Sequence, residues 1–532
     1  MKAPKIFFTK YILNPILIER VVNDGFIVLL FRTGQSDSEV VNPPYLQPMT
    51  NTQIRLLILF LAGFFYFVFR LYLHGWSLDV YSWAVLYSNR VLFADHVFIG
   101  DPNKLFEALV GLLPAYFDKP ILFPLISAAF GSAICLAVYE LILLLVRHKG
   151  YALAAWGVIL LAPVLYWQVL SCNSILYATC FAVGSLYFFT SGKTTTGSIL
   201  LSCAALSRPE PFILIVLASA YLLFQWKKRE ITFRRLYGTL AVLAVPPAIW
   251  LVANFYQTDN AIYAFQLAQD YTKSTHQNID AAEFPKRLWF LLTAFYYNPI
   301  ALAFCAVGFI VLAKRFRSLL FVYGYTLLSI GGYWVLAPYN IPLLERYVLP
   351  ISIYLLVFGV LLFHELEARW LRPIGLPRTD FLKSALLSII FLLVFIHLPA
   401  HHVANQIINY HKSFDQDVPI VADHIRQKLA ETDSGKLRIL MSARRQAHYD
   451  YLLYEDRSRL TFIYFRKLYY EKMDLRKSKI DYAFYSPNDL YPLKSAFYTF
   501  DMLSDEGLKK QNMRVGETIS ISENTKILQF LR

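Results

Sequence analysis

The sequence predicts a polytopic α-helical membrane protein of about eleven membrane segments, followed by a C-terminal α/β domain. Three observations carry that prediction. Of the 532 residues, 57% are hydrophobic and 16% aromatic. The mean hydropathy is +0.43, too apolar for a soluble protein with an ordinary surface. Several apolar runs approach about 20 residues, the length that crosses the hydrocarbon core of a bilayer. The formal net charge of +14 is gathered in short loops between those runs. That is the positive-inside distribution, so the basic excess reports topology, and no nucleic acid is expected as a partner.

Each segment follows from its own residues. Residues 1–53, with Lys2, Lys5, Lys10, Arg20 and Arg32, read as a cytoplasmic N-terminal segment. Their apolar runs, Tyr11–Ile18 and Phe26–Phe31, are too short to span and are expected to lie along the surface; a cleavable signal peptide is not expected. Residues 54–400 are the membrane domain. Its first span is Ile54–Leu73, and a long first outer loop, 75–119, follows. Two amphipathic helices are expected in that loop. Val80, Trp83, Ala84, Tyr87 and Val91 share one face of the first. Leu105, Phe106, Leu109, Val110 and Leu113 form the stripe of the second, which opens with Asp101 as cap and Pro102 at its first position.

The next span, Ile121–Val146, ends at Arg147-His148-Lys149. Tyr151–Gln168 and Ser174–Phe189 then go out and return to Lys193. The run Gly197–Phe224 is read as two short spans broken at Ser207-Arg208-Pro209-Glu210. Unbroken, it would leave Lys227, Lys228, Arg229, Arg234 and Arg235 on the wrong side, and Pro209 biases Arg208 away from helix. Spans at Leu236–Phe255, Leu288–Leu312, Leu319–Leu336, Tyr347–Phe363 and Ala385–Leu398 complete the alternation. Outer loops at 256–287 and 340–346 lie between them.

Residues 401–532 read as a separate domain on the outer, periplasmic side, with acids and bases nearly in balance. A helix is predicted at Val418–Leu429, and strands at Lys436–Ser442, Lys479–Tyr485 and Thr518–Leu531. There is no Gly-rich phosphate loop. The basic-aromatic stretch Arg457–Lys472 reads either as a headgroup contact or as an ordinary mixed surface. All five cysteines lie in or beside apolar segments, so no disulfide and no zinc site is expected. An N-x-S/T acceptor is absent, which favours a bacterial source.

Outer-side charge falls in four places: Asp79, Asp95 and Asp101 in the first loop; Arg208 and Glu210; the 256–287 loop; and Glu345-Arg346. The 256–287 loop, with Asp259, Asp270, Lys273, His276 and Asp280, is long and polar enough for a mobile lid. A carboxylate beside an arginine-held phosphate suits group transfer from a lipid phosphate donor. The acid takes the proton of the acceptor hydroxyl, and arginine stabilises the departing phosphate. Such a donor keeps its tail in lipid and its phosphate at the interface, which gives an enzyme reason to sit in a membrane. Each residue also has a plainer reading. Asp79 favours a helix N-terminus, Asp101 is a cap, Arg208 pairs with Glu210 or snorkels, Arg346 anchors at the interface, and His96 is structural. Most tyrosines and tryptophans read as interface belt.

Two segments and their order carry a family resemblance. ALSRPEPFILI (Ala205–Ile215) contains an L-x-R-P-E pattern, and LLERYVLPISIYLL (Leu343–Leu356) contains E-R-Y-x-x-P before a late span. With an Asp soon after the first span, at the start of a long outer loop, the chain resembles the GT-C-fold glycosyltransferases that use polyprenyl-phosphate sugars. These include the protein O-mannosyltransferases and the lipid A aminoarabinose transferase, and a C-terminal periplasmic α/β domain is a frequent addition there. The likeness covers most of residues 54–400. It implies that Asp79 is the general base of an inverting transfer and that Arg208 and Arg346 hold the donor phosphate, with Lys104 helping. Many members carry a second acid directly after the first, where this chain has Val80. Asp95, Asp101 and Glu210 are the candidates to replace it; otherwise one acid suffices or the site is degenerate. No cofactor is implied, and a divalent metal is not favoured.

The expectation is therefore a multi-pass glycosyltransferase of the bacterial inner membrane. Its partners would be membrane lipids, a polyprenyl-phosphate-linked sugar donor and a lipid, glycan or protein acceptor. The rivals are a transporter or flippase of a lipid-linked saccharide and a catalytically inactive scaffold. Transporters usually place ionisable groups at mid-membrane between internal repeats, and the sequence suggests neither.

Overall fold

Where the apolar runs begin and end, capping residues and prolines set the helix boundaries. The computed structural model describes residues 50–74, 122–262 (except 172 and 209) and 282–371 (except 316–318 and 337–344). In the C-terminal domain it describes 417–431, 436–441, 453–464, 479–485, 508–509, 513–521 and 526–531. The two surface helices expected in loop 75–119, most of the 256–287 loop and the last expected span, Ala385–Leu398, lie outside the described residues.

Helix α1 (Asn51–His74) opens with a reciprocal cap: Gln53 N donates to Thr50 Oγ1 and Thr50 N donates to Gln53 Oε1. α2 (Leu122–Val146) ends at Arg147, whose φ of 57° turns the chain into α3 (Lys149–Leu160). The expected span Tyr151–Gln168 is not one helix. Pro163 opens a separate helix, α4 (Pro163–Ser171), and the pair is bent by 54°, because proline has no N–H to continue the ladder. Asn173 caps α5 (Ser174–Thr190) by accepting from Ile175 N at 3.1 Å.

The break between α6 (Thr194–Ser207) and α7 (Phe212–Lys227) falls where the charge pattern put it. α8 (Phe233–Thr258) carries Pro246 and Pro247 in its interior. Proline at 246 leaves the Val242 carbonyl without its usual partner four residues on, and Ser202 Oγ of α6 donates to that oxygen at 2.9 Å. The expected span Leu288–Leu312 is likewise two helices, α9 (Phe284–Phe295) and α10 (Pro299–Val311). Asn298 caps the second, accepting from Ala301 N at 2.8 Å, with Pro299 at its first position. α11 (Leu320–Leu336), a 3-10 turn at Glu345–Val348, α12 (Leu349–Leu366) and a π-helical turn at Glu367–Leu371 complete the bundle.

The chain is a helical membrane protein. Four of its described helical segments, Asn51–Leu73, Pro124–Val146, Phe233–Val252 and Arg346–Arg369, are long and apolar enough to cross a bilayer, and the bent pair α3–α4 makes five. α5, α6, α7 and α11 are shorter apolar helices. Helix α12 is the axis. Every residue from Ile351 to Leu362 is buried, as expected of a helix that is hydrophobic all round. It packs against α10, α11, α2, α3 and α5. Its contact with α10 is close: a Cβ added to Gly308 would stand 2.5 Å from the Phe358 carbonyl oxygen. α8, by contrast, exposes Phe233, Tyr237, Val252 and Phe255, a surface that suits lipid.

Contacts between helices identify two ends. Arg55, at the start of α1, faces the Tyr139 ring near the end of α2, while Arg70, at the end of α1, lies over Tyr166 of α4 at 4.2 Å. Tyr151, at the start of α3, donates to Glu367 beyond the end of α12 at 2.6 Å. Arg315 pairs with Glu365 at 2.5 Å. Arg147, Lys149 and Arg315 thus share one end of the bundle, called the basic end below.

The C-terminal domain pairs helix α13 (Asp417–Glu431) with a five-stranded sheet in the order β2-β1-β3-β5-β4. β1 (Leu437–Met441) runs parallel to β2 (Leu460–Tyr464) and β3 (Tyr482–Tyr485); β5 (Lys526–Leu531) runs antiparallel to β3 and to β4 (Arg514–Ser520). The expected strand Thr518–Leu531 is therefore a hairpin, with Ile519 opposite Ile527. Strand β2 lies within the basic-aromatic stretch Arg457–Lys472, which carried no strand expectation. Side chains alternate across the sheet with period two. Ile439, Tyr482, Phe484 and Ile527 join Val421, Ala422, Ile425 and Leu429 of α13; Leu440, Ala483 and Leu528 join Leu508 and Phe530 on the other face.

Candidate functional site

At the end of the bundle opposite the basic turns, the chain gathers charge instead of dispersing it. α6 stops at Ser207, and Arg208 follows in extended backbone (φ −158°, ψ 153°), its N–H still reaching Ala204 O at 3.0 Å. α7 restarts at Phe212, with the Pro211 carbonyl accepting from Leu214 and Ile215. The break leaves Arg208 and Glu210 side by side. Arg208 Nε donates to both carboxylate oxygens of Glu210 at 3.1 and 3.0 Å, and Nη2 donates to Oε1 at 2.7 Å. Nη1 donates to Ser174 Oγ at 2.9 Å, in the first turn of α5. The two side chains are 11% and 25% exposed, so the pair is shielded on most sides. A guanidinium carries five N–H groups. Among the described residues these contacts engage one on each nitrogen, and the second N–H of each terminal nitrogen has no acceptor.

The ring of Tyr347 organises the rest. The guanidinium carbon of Arg208 lies 4.9 Å from its centroid, and that of Arg346 lies 5.4 Å away. Two cations on one ring gain from its π-electrons, and the Glu210 carboxylate offsets part of their repulsion. Tyr347 stacks on Tyr333 of α11, with centroids 6.0 Å apart and planes 22° from parallel. Tyr333 is only 8% exposed, and its hydroxyl has no hydrogen-bond partner among the described residues. Glu210, Arg208 and Arg346 are its charged neighbours. α4 and α9 pack against the turn that holds Arg346 and Tyr347. On α4, Gln168 is fully buried with neither end of its amide paired among the described residues.

Among the described residues, Arg208, Arg346 and Glu210 meet here beside buried donors without acceptors, a set that suits an oxyanion. Arginine forks match the geometry of phosphate or carboxylate oxygens. The sequence-predicted residues Arg208, Glu210 and Arg346 are brought together here. Asp79, Lys104, Asp95 and Asp101 lie outside the described residues, as do Asp270, Lys273, His276 and Asp280; Asp259 is described, directly after α8. Sequence reasoning missed Ser174, Tyr333 and Tyr347. Tyr347 had a signal, since it adjoins Arg346 in the E-R-Y segment. Ser174 had a weaker one in the Asn173 cap, and Tyr333 had none.

Arg70 of α1 lies over Tyr166 of α4, which packs on the Arg346 turn. Glu140 of α2 is hydrogen-bonded to Tyr187 and faces Arg55, roughly two turns from the basic end. Among the described residues, no three or more His, Cys, Asp or Glu side chains are placed to share a metal ion. No protein-family model matches the chain, and no curated protein matches it.

Proposed function

We propose that this chain is a glycosyltransferase of the GT-C class, which moves a sugar from a polyprenyl-phosphate donor to an acceptor at the Arg208 end of the bundle. One observation carries the reading: Arg208, Arg346 and Glu210 meet around Tyr347 at the end away from the basic turns, where a lipid phosphate would lie. In the proposed step Asp79 takes the proton of the acceptor hydroxyl. The hydroxyl oxygen bonds to the anomeric carbon from the face opposite the phosphate. The bond from that carbon to the phosphate oxygen breaks, and the phosphate leaves with the electron pair, held by Arg346 and the open edge of Arg208. Configuration at the anomeric carbon inverts. Lys104 assists at the phosphate, and Asp95, Asp101 or Glu210 stands in for the acid that Val80 lacks. The eleven-segment topology, the bacterial inner membrane and a periplasmic α/β domain belong to the same proposal.

The test is Asp79→Asn in purified full-length protein supplied with polyprenyl-phosphate sugars. A transferase loses turnover by at least about a hundredfold yet still binds donor. A transporter changes modestly and a scaffold not at all; either result would overturn the proposal.

A further inference from the structure

We propose that the Tyr333 hydroxyl is a third donor to the bound anion, completing a phosphate seat with Arg346 and the open edge of Arg208. This rests on the proposed transferase reading for its substrate but on separate observations for its residue. Tyr333 is the buried member of the Tyr333–Tyr347 stack, held parallel to the ring that carries both guanidinium groups. A buried hydroxyl without a partner is destabilising unless something absent from the free protein supplies one. The acceptor already nearby, Glu210, is turned to Arg208, with its Oε1 and Oε2 both engaged by that guanidinium. The open N–H groups of Arg208 and the Tyr333 O–H are thus donors of one cluster that lack acceptors. An oxyanion with several oxygens satisfies them together, and a phosphate fits better than a carboxylate because it presents a third oxygen to the hydroxyl. The phenol adds a hydrogen bond without adding charge. The step that frees a doubly charged phosphate draws on all three donors.

The experiment compares Tyr333→Phe with the wild type, as full-length protein in detergent. The measurements are binding of a polyprenyl monophosphate, binding of inorganic phosphate and the melting temperature without ligand. Tyr237→Phe, the same chemical change on a side chain that is 70% exposed, sets the baseline. The expected result has two signs. Phosphate affinity falls about tenfold, as for a lost hydrogen bond to a charged group, while the melting temperature of the free protein stays level or rises. Unchanged affinity would overturn the proposal, and so would a lower melting temperature, since that would reveal a structural partner for the hydroxyl. A tenfold loss with inorganic phosphate as well assigns the seat to the phosphate group itself. A loss confined to the lipid assigns it to a headgroup presented from the bilayer; both support the seat. Transfer is scored separately. Weakened binding in a protein that moves no sugar keeps the seat and removes the transferase, whereas transfer with unchanged binding does the reverse.

Discussion

The two ends of the helix bundle use the same residue types in opposite ways. At the basic end two acids are matched across helices: Arg315 holds Glu365 and the Tyr151 hydroxyl holds Glu367, fastening the start of α3 and the end of α10 to the last turns of α12. At the other end, Arg208 and Arg346 crowd one tyrosine ring, Glu210 pairs with Arg208, and among the described residues the buried Tyr333 hydroxyl is left over. Matched donors and acceptors make a fastening. Surplus donors at a shielded position suit the proposed phosphate seat, because the free protein carries their desolvation cost and a ligand would relieve it.

The contrast breaks most sharply at Arg208. Arg208→Ala removes the fork and strands the Glu210 carboxylate. It should cost about 3 kcal/mol of stability by the precedent of broken shielded pairs, and phosphate binding should fall by at least about a hundredfold. Arg315→Ala, an exposed pair at the other end, should cost under about 1 kcal/mol and leave binding untouched. Equal losses of binding in both variants would erase the distinction between the ends.

A smaller effect is expected from Tyr151→Phe. Glu367 loses its buried donor, so stability should fall by about 1–3 kcal/mol with no change in phosphate affinity. Denaturant unfolding in detergent and a lipid-phosphate titration on the same sample separate the two. Glu210→Gln sharpens the comparison through its sign. Removing the competing anion should tighten phosphate binding about fivefold, the scale of one partly screened charge a few ångströms away. A glutamate whose sole task is to orient Arg208 would give weaker binding instead. The smallest change belongs to the basic end: Arg147 holds φ at 57°, a conformation that favours glycine. Arg147→Gly should therefore raise stability by about 0.5–1 kcal/mol without touching the site.

Much of this architecture was legible in the chain. The break between α6 and α7 could be read because two independent signals, Pro209 and the basic run after α7, demanded it. The breaks at Pro163 and at Asn298-Pro299 carried comparable local signals, but an unbroken apolar run outweighed them in the reading. Strand β2 was hidden because Leu460–Tyr464 sits among arginines and tyrosines that read as surface. The hairpin at Thr518–Leu531 was read as one strand because alternation continues on both sides of the turn. Within the site, Arg208, Glu210 and Arg346 stood out as charges in an apolar chain. Their aromatic partners did not, since the chain has 36 tyrosines and only the relative rotation of α11 and α12 decides that Tyr333 is the one that meets Tyr347. Charge is scarce here and so is informative along the sequence, whereas aromaticity becomes informative only in three dimensions.

The double proline of α8 bears on how the protein is made. A lone carbonyl in hydrocarbon costs several kcal/mol, and the Val242 oxygen has its donor on another helix, Ser202 of α6. Released from the translocation machinery by itself, α8 would carry that oxygen bare into lipid. In the folded bundle that oxygen is covered by α6, a helix synthesised before α8. Loss of the Ser202 hydroxyl should show itself at biogenesis, as less protein reaching the membrane, before it shows itself in anything the finished molecule does.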